Sequence, residues 1–256
     1  MVILKVEELV SGYQDIDVIK KISFSISTGE FVGIIGPNAS GKSTLLKTIA
    51  GVVKIKSGRV LINDKDIMDY HHKELAKTVG LSTNITDYSL NFKVRDFILL
   101  ARYPWNFSEI NYEELYEEFE LKSILKKTLK ELSSGELQRV LIAQLVAQTP
   151  QIFLLDEPVS HLDVGHQIGI LDKLKRINLE KKITILASFH ELNLAVEYCD
   201  RLILLFNGEI RKIGTPKEVM DYRILEEVYN TKLIVKTNPI SEKPYVIPVP
   251  MMWNNF

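Results

Sequence analysis

Residues Gly36-Pro37-Asn38-Ala39-Ser40-Gly41-Lys42-Ser43 satisfy the spacing G-x-x-x-x-G-K-[ST] and lie between the apolar run FVGII and the helix-type stretch LLKTIA. No other feature constrains the fold as strongly. A strand must deliver the backbone, and a glycine-rich turn must curl it so that successive N–H groups converge. A helix must then start at once and add its partial positive charge. A turn of this kind cradles phosphate. Lys42 supplies a cation for the β- and γ-phosphates of a nucleotide, and Ser43, followed by Thr44, a hydroxyl able to ligate Mg²⁺.

The rest of the chain supports a sheet around that turn. ILKVEEL, KISFSIS and SGRVLIND read as short strands bounded by turn residues, and QIFLLDEP, ITILASF and RLILLF as buried ones. From about residue 85 the texture becomes helical, through VRDFILLARY, NYEELYEEFELKSILKK and GELQRVLIAQLVAQ, with Leu137, Leu141 and Leu145 on one face. HQIGILDKLKRINLEKK and ELNLAVEYC read as later helices. Strands alternating with long helices imply an α/β fold with a mostly parallel sheet, into which the middle helical block is inserted. Four of the nine prolines fall in the last eighteen residues, so that tail is expected to be extended or loosely docked.

A second chemical signal is Ile152-Phe153-Leu154-Leu155-Asp156-Glu157-Pro158. Carboxylates at the end of a buried strand open toward the sheet edge where α/β ligands collect. Asp156 is suited to hold Mg²⁺, and Glu157 to accept a proton from an attacking water.

With these two motifs the chain resembles the ATPase subunit of ABC transporters, and further segments extend the likeness. LSSGELQRV, Leu132 to Val140, is similar to the family signature L-S-G-G-Q, with Ser134 for a glycine and Glu136 for the glutamine. Ser133 or Ser134 would also cap a helix, with glutamate near its third position. SHLD, Ser160 to Asp163, matches the D-loop, and His190 matches the switch histidine that senses the γ-phosphate. Tyr13 stands where the family places an aromatic that stacks on adenine. The family's glutamine after the strand leading into the helical insertion corresponds to Asn84, with Thr83 as the other alignment.

The resemblance implies a P-loop NTPase (RecA-like) core with an N-terminal antiparallel β subdomain, drawn from 1–84 and 150–236. It also implies a helical subdomain at 85–149, the whole domain ending near 236, and a proline-rich tail at 237–256. Glu157, His190, Lys42 and Asn84 are the expected catalytic residues. Residues 36–44 and Tyr13 would bind ATP within the subunit, while Ser133, Ser134, Gly135, Glu136 and Asp163 would reach it from the other copy of a head-to-tail homodimer. Ser43, Asp156 and Asn84 would hold Mg²⁺. The implied partners are integral membrane permease subunits docked on the helical subdomain, served by an extracytoplasmic substrate-binding protein. The chain itself would be cytoplasmic and peripheral on the inner face of the membrane. HELNLAVEYCDRLILLFNGEIRKIGTP and ARYPW resemble the branch that imports iron–siderophore, haem or cobalamin chelates. Metal-ion importers share some of these marks, and a soluble ABC ATPase of the iron–sulfur assembly type is the alternative.

Composition narrows the alternatives. With 46% hydrophobic and 25% charged residues, the chain is neither disordered nor fibrous. Thirty-two Lys+Arg against thirty-three Asp+Glu leave a net charge of −1, so there is no basic excess for nucleic acid. No apolar run has the length of a membrane span, and MVILKVEELV lacks the basic start of a signal peptide. Cys199, the single cysteine, reads as a small buried hydrophobe, and His71, His72, His161 and His166 form no metal-ligand spacing.

Overall fold

The computed structural model describes residues 1–83 and 91–250. The first half opens with strands β1 (Val2–Tyr13), β2 (Ile16–Ser27) and β3 (Phe31–Ile35), then helix α1 (Lys42–Ile49). Strands β4 (Ile55–Ile62) and β5 (Lys65–Asp66) follow, then α2 (His72–Thr78) and β6 (Val79–Ser82). Helices α3 (Val94–Leu100), α4 (Tyr112–Glu118) and α5 (Ser134–Gln148) come next. The second half alternates β7 (Ile152–Leu155), α6 (Val164–Lys181), β8 (Thr184–Ser188), α7 (Leu192–Tyr198), β9 (Arg201–Phe206) and β10 (Glu209–Gly214). It closes with α8 (Pro216–Val219), α9 (Tyr222–Tyr229), β11 (Leu233–Thr237) and β12 (Pro244–Pro248).

The two strand patterns sort into two sheets. In β2, buried Ile22, Phe24 and Ile26 alternate with exposed Ser23, Ser25 and Ser27, as in a sheet covered on one face. It belongs to an antiparallel sheet of order β2-β1-β4-β5. β3, β7 and β8 are buried at every position, as strands covered on both faces must be. They lie in a six-stranded sheet of order β10-β9-β3-β8-β7-β6, parallel except for the β9–β10 pair. The strand period of two divides the core between its faces. Phe31, Ile35, Phe153 and Leu155 pack with α5, α6 and α7, whereas Val32, Ile34, Ile152 and Leu154 pack with α1 and the antiparallel sheet. This is the expected mixed α/β architecture, with helices α3 to α5 carried on the crossover between the neighbouring strands β6 and β7.

Two segments depart from local pattern. The helical run NYEELYEEFELKSILKK ends at Glu118, because Glu120 turns left-handed (φ 57°) and Leu121 N–H returns to the Tyr116 carbonyl at 2.8 Å. That turn lets Phe119, Leu121 and Ile124 all enter the core, which one straight helix could not do. In the proline-rich tail, Pro244–Pro248 is extended and specifically docked. β12 pairs with β11, so the hairpin crosses the boundary drawn at 236 and 237. The Asn193 amide accepts from Val246 N–H at 2.8 Å and donates to its carbonyl at 3.1 Å, acting as one more strand partner. Among the described residues, no helix is long and apolar enough to cross a membrane.

Candidate nucleotide site

The register of the parallel sheet brings three strand ends together. Ile34 pairs with Ser188 and Leu155 with Ala187, so β3, β8 and β7 finish side by side, with β8 in the middle. The phosphate loop leaves β3, Asp156 and Glu157 follow β7, and His190 follows β8. Residues far apart in sequence thus share one sheet edge.

In the loop, Gly36 (φ +149°) passes so close to β9 that a Cβ would stand 2.0 Å from the Leu205 carbonyl oxygen. Gly41 (φ +107°) is the N-cap of α1, and no side chain caps that helix. The first-turn N–H groups are therefore left for an external anion. Ser40 Oγ is buried without a protein partner and fits a phosphate oxygen. Lys42 is 5% exposed and donates to the carbonyls of Gly36 and Pro37 at 2.8 and 2.9 Å. Burial pushes its ammonium below the ordinary lysine value, and the charges of Glu157 and Asp156 pull the other way.

The strand ends are joined by one hydrogen-bonded chain. Asp156 Oδ1 accepts from Ser43 Oγ at 2.9 Å and from Ser188 Oγ at 2.8 Å, and Ser188 Oγ accepts from Glu157 N–H at 2.8 Å. Ser43 and Asp156 present adjacent hard oxygen donors, the type Mg²⁺ prefers. Glu157 has left-handed backbone (φ 52°), and its Oε1 is hydrogen-bonded to His190 Nε2. A cleft of about 270 Å³ runs over the loop, lined by Val18, residues 38–44, Glu157 and His190. A second cavity of about 250 Å³ shares Glu157 and His190 and adds His161.

The signature residues line neither of these cavities. Ser133 is the N-cap of α5: its hydroxyl accepts from Glu136 N–H at 3.2 Å, and Ser133 N–H donates to Glu136 Oε2 at 2.8 Å. Glu136, where the family has glutamine, thus closes a capping box. Its other oxygen pairs with Lys127 at 3.0 Å. Ser134 and Gly135 keep first-turn N–H groups without intrahelical acceptors. Asp163 caps α6, and the hydrogen bond from His166 N–H to its carboxylate holds it below the ordinary aspartate value. Among the described residues, neither cavity beside the phosphate loop is lined by Ser133, Ser134, Gly135, Glu136, Asp163 or Tyr13. Tyr13, 49% exposed, ends β1 opposite Ile16.

Sequence reading had not singled out Ser188 or Val18. Ser188 is a polar residue ending an apolar run, but its use depends on β8 lying between β3 and β7. Asn84 lies outside the described residues, and Thr83 directly follows β6. The described residues hold no cluster of metal-ligating histidine, cysteine and carboxylate side chains. Cys199 is 2% exposed.

The fold and site define a P-loop ATPase. A family profile described as ABC transporter matches residues 19–160. The chain is 33% identical to the ferric enterobactin transport ATP-binding protein FepC of Escherichia coli, over 96% of this chain and 94% of that protein. It is also 33% identical to the iron(3+)-hydroxamate import ATP-binding protein FhuC of Bacillus subtilis, over 98% and 96%. A third relative, the uncharacterized ABC transporter ATP-binding protein YvrA of Bacillus subtilis, is 35% identical over 96% of this chain, which spans 58% of its length. In structure the chain is similar to an inward-facing metal-chelate-type ABC transporter, at TM-score 0.82 and 22% identity, covering 98% of this chain and 99% of that one. It is also similar to the cassette MJ0796 solved as a dimer with ADP and Pi, at TM-score 0.73 and 28% identity, covering 83% and 98%. The chain belongs to the ABC transporter family and is an ATP-binding, ATP-hydrolysing cassette.

Proposed function

We propose that this cassette powers an importer of iron–siderophore-type chelates, working as a head-to-tail homodimer on the inner face of the membrane. The observation that carries this reading is the division of the site: the phosphate loop, Asp156, Glu157 and His190 share one sheet edge, while the signature helix opens elsewhere. A second copy turned head to tail would bring its Ser134 and Gly135 N–H groups to the γ-phosphate and complete the site. The importer class and its iron-chelate cargo follow from the relatives that are matched nearly end to end. Permease subunits would dock on the helices between β6 and β7, and a substrate-binding protein would deliver the chelate.

In this reading, the N–H groups of the loop and Lys42 hold the phosphates, Ser40 adds a hydroxyl, and Tyr13 and Val18 face the base. Mg²⁺, held by Ser43 and Asp156 together with Asn84 or Thr83, would neutralise phosphate oxygens when bound. Glu157 takes the proton of the attacking water. His190 holds the Glu157 carboxylate and reaches the γ-phosphate, and Ser188 fixes Asp156 relative to Glu157. Replacing Glu157 by glutamine removes the base and leaves every phosphate contact, so turnover falls by about 10³-fold, or about 4 kcal/mol of barrier. Vesicles holding the permease and this chain should take up an iron–siderophore with ATP and stop with Glu157→Gln, which should accumulate as an ATP-bound dimer. Uptake that ignores Glu157→Gln, or a variant that stays monomeric with Mg-ATP, overturns the proposal.

A further inference from the structure

The D-loop and the signature meet at one side chain. Asp163 Oδ1 accepts from His166 N–H at 3.0 Å, and its Oδ2 is 2.6 Å from His166 Nδ1. The two bonds hold the imidazole in one orientation at the start of α6. Its other edge lies on the signature helix, where a Cβ added to Gly135 would stand 3.1 Å from Cδ2 and 3.4 Å from Nε2 of that ring. Gly135 is buried and its φ lies outside the left-handed region, so what sets this position apart is close packing against the ring, not backbone conformation. The free N–H groups of Ser134 and Gly135 therefore start from a helix end seated against the His166 ring.

We propose that His166 is a positioning residue: a spacer that sets the first turn of α5 relative to the D-loop, so that both present one rigid surface to the opposing subunit. The inference rests on the head-to-tail reading above. Asp163 thereby acts within its own chain, through the ring it orients. Glu120, Arg139 and Lys173 line the same cleft of about 300 Å³ around the ring, so His166 is set in a charged surround. Lys173 is already engaged with the Glu118 carbonyl at 2.7 Å and with Glu120 at 3.3 Å, which ties α6 to α4 without the histidine. Loss of the ring should therefore shift the signature without unfolding α6.

The test is MgATP-driven dimerisation of the full chain carrying Glu157→Gln, followed by analytical size exclusion, with His166→Ala, His166→Phe and His166→Asn added singly. His166→Ala should raise the ATP concentration for half-maximal dimer by about tenfold while monomer ATP affinity and Tm stay at parental values. His166→Phe keeps a ring over Gly135 and should recover most of the loss. His166→Asn keeps a donor for Asp163 but no spacer, and should resemble the alanine variant. With Glu157 intact, His166→Ala should raise KM for ATP about tenfold and leave kcat within about twofold, since chemistry in the closed dimer is untouched. Equal dimerisation of all three variants overturns the proposal, as does a parallel loss of monomer ATP affinity or of Tm. A Glu157→Gln parent that never dimerises overturns the head-to-tail reading itself, a result that no His166 variant can produce.

Discussion

Two helix N-termini in this molecule, one at the phosphate loop and one at the signature, are finished in opposite ways. At α1 the backbone does the work. Gly36 and Gly41 permit a loop that side chains would block, no side chain caps the helix, and Lys42 folds over the carbonyls. At α5 the side chains do the work: Ser133 and Glu136 cap each other, Lys127 covers the second glutamate oxygen, and His166 fills the space against Gly135. The first terminus sits in a cleft with its carboxylates and hydroxyls already assembled. The second lines neither cavity beside the loop and is closed by its own side chains. In the head-to-tail reading proposed above, the end that binds its ligand within one chain is closed by the loop, whereas the end that works across the interface is shaped before contact.

The largest effect expected from this contrast is a difference in kind. Lys42→Ala should weaken ATP binding to the monomer by about 100-fold, or roughly 2–3 kcal/mol for lost charge-assisted contacts. Ser133→Arg should leave monomer affinity intact and abolish dimerisation and turnover. Fluorescent ATP titration of each monomer, with turnover of the mixed pair, separates them; monomer affinity lost in Ser133→Arg would erase the contrast.

Ser188→Ala sharpens the first half of the comparison. It leaves Asp156 one donor short and Glu157 N–H without its acceptor, at about 1–3 kcal/mol per buried group. Turnover should drop about 10- to 100-fold with ATP affinity within about threefold. Equal losses in both would make Ser188 part of nucleotide binding instead.

Ser133→Ala tests the second half. Removing this cap should cost about 1 kcal/mol and lower Tm by roughly 2–4 °C. No such cap exists at α1 to remove. Differential scanning fluorimetry measures it, and an unchanged Tm would mean that Glu136 closes the helix unaided.

The smallest effect is acid sensitivity. Glu136, Glu131 and Glu218 each accept backbone N–H bonds at a helix start, which hold their carboxyls below the ordinary glutamate value of 4.5. The folded chain therefore binds these protons less readily than the unfolded one. The stabilisation is complete above the unfolded value near 4.5 and is lost as pH falls through the lower folded values. Tm should decline gently below about pH 4.5, and Glu218→Gln should flatten that slope slightly; a slope unchanged by Glu218→Gln would remove this cap from the account.

Much of this was written locally. The phosphate loop is a contiguous run whose glycines, lysine and serine dictate their own backbone path, so it is legible before any fold is known. The capping box is equally local, since Ser133 and Glu136 lie three residues apart, although only the backbone decided that Ser133 rather than Ser134 is the cap. Asp156, Glu157 and His190 could be read as the ends of apolar runs. Tertiary structure decided their neighbours, because the order β3-β8-β7 is not the order of the chain, and that order alone makes Ser188 a bridge between Asp156 and Glu157. Val18 over the loop, the turn at Glu120 that admits Phe119 and Leu121 to the core, and the Asn193 amide pairing with β12 have the same origin. Local sequence acts through dihedral preference and side-chain period within a few residues. Which strand or helix lies beside which is set by burying two apolar faces of one sheet at once, a choice that belongs to the whole chain.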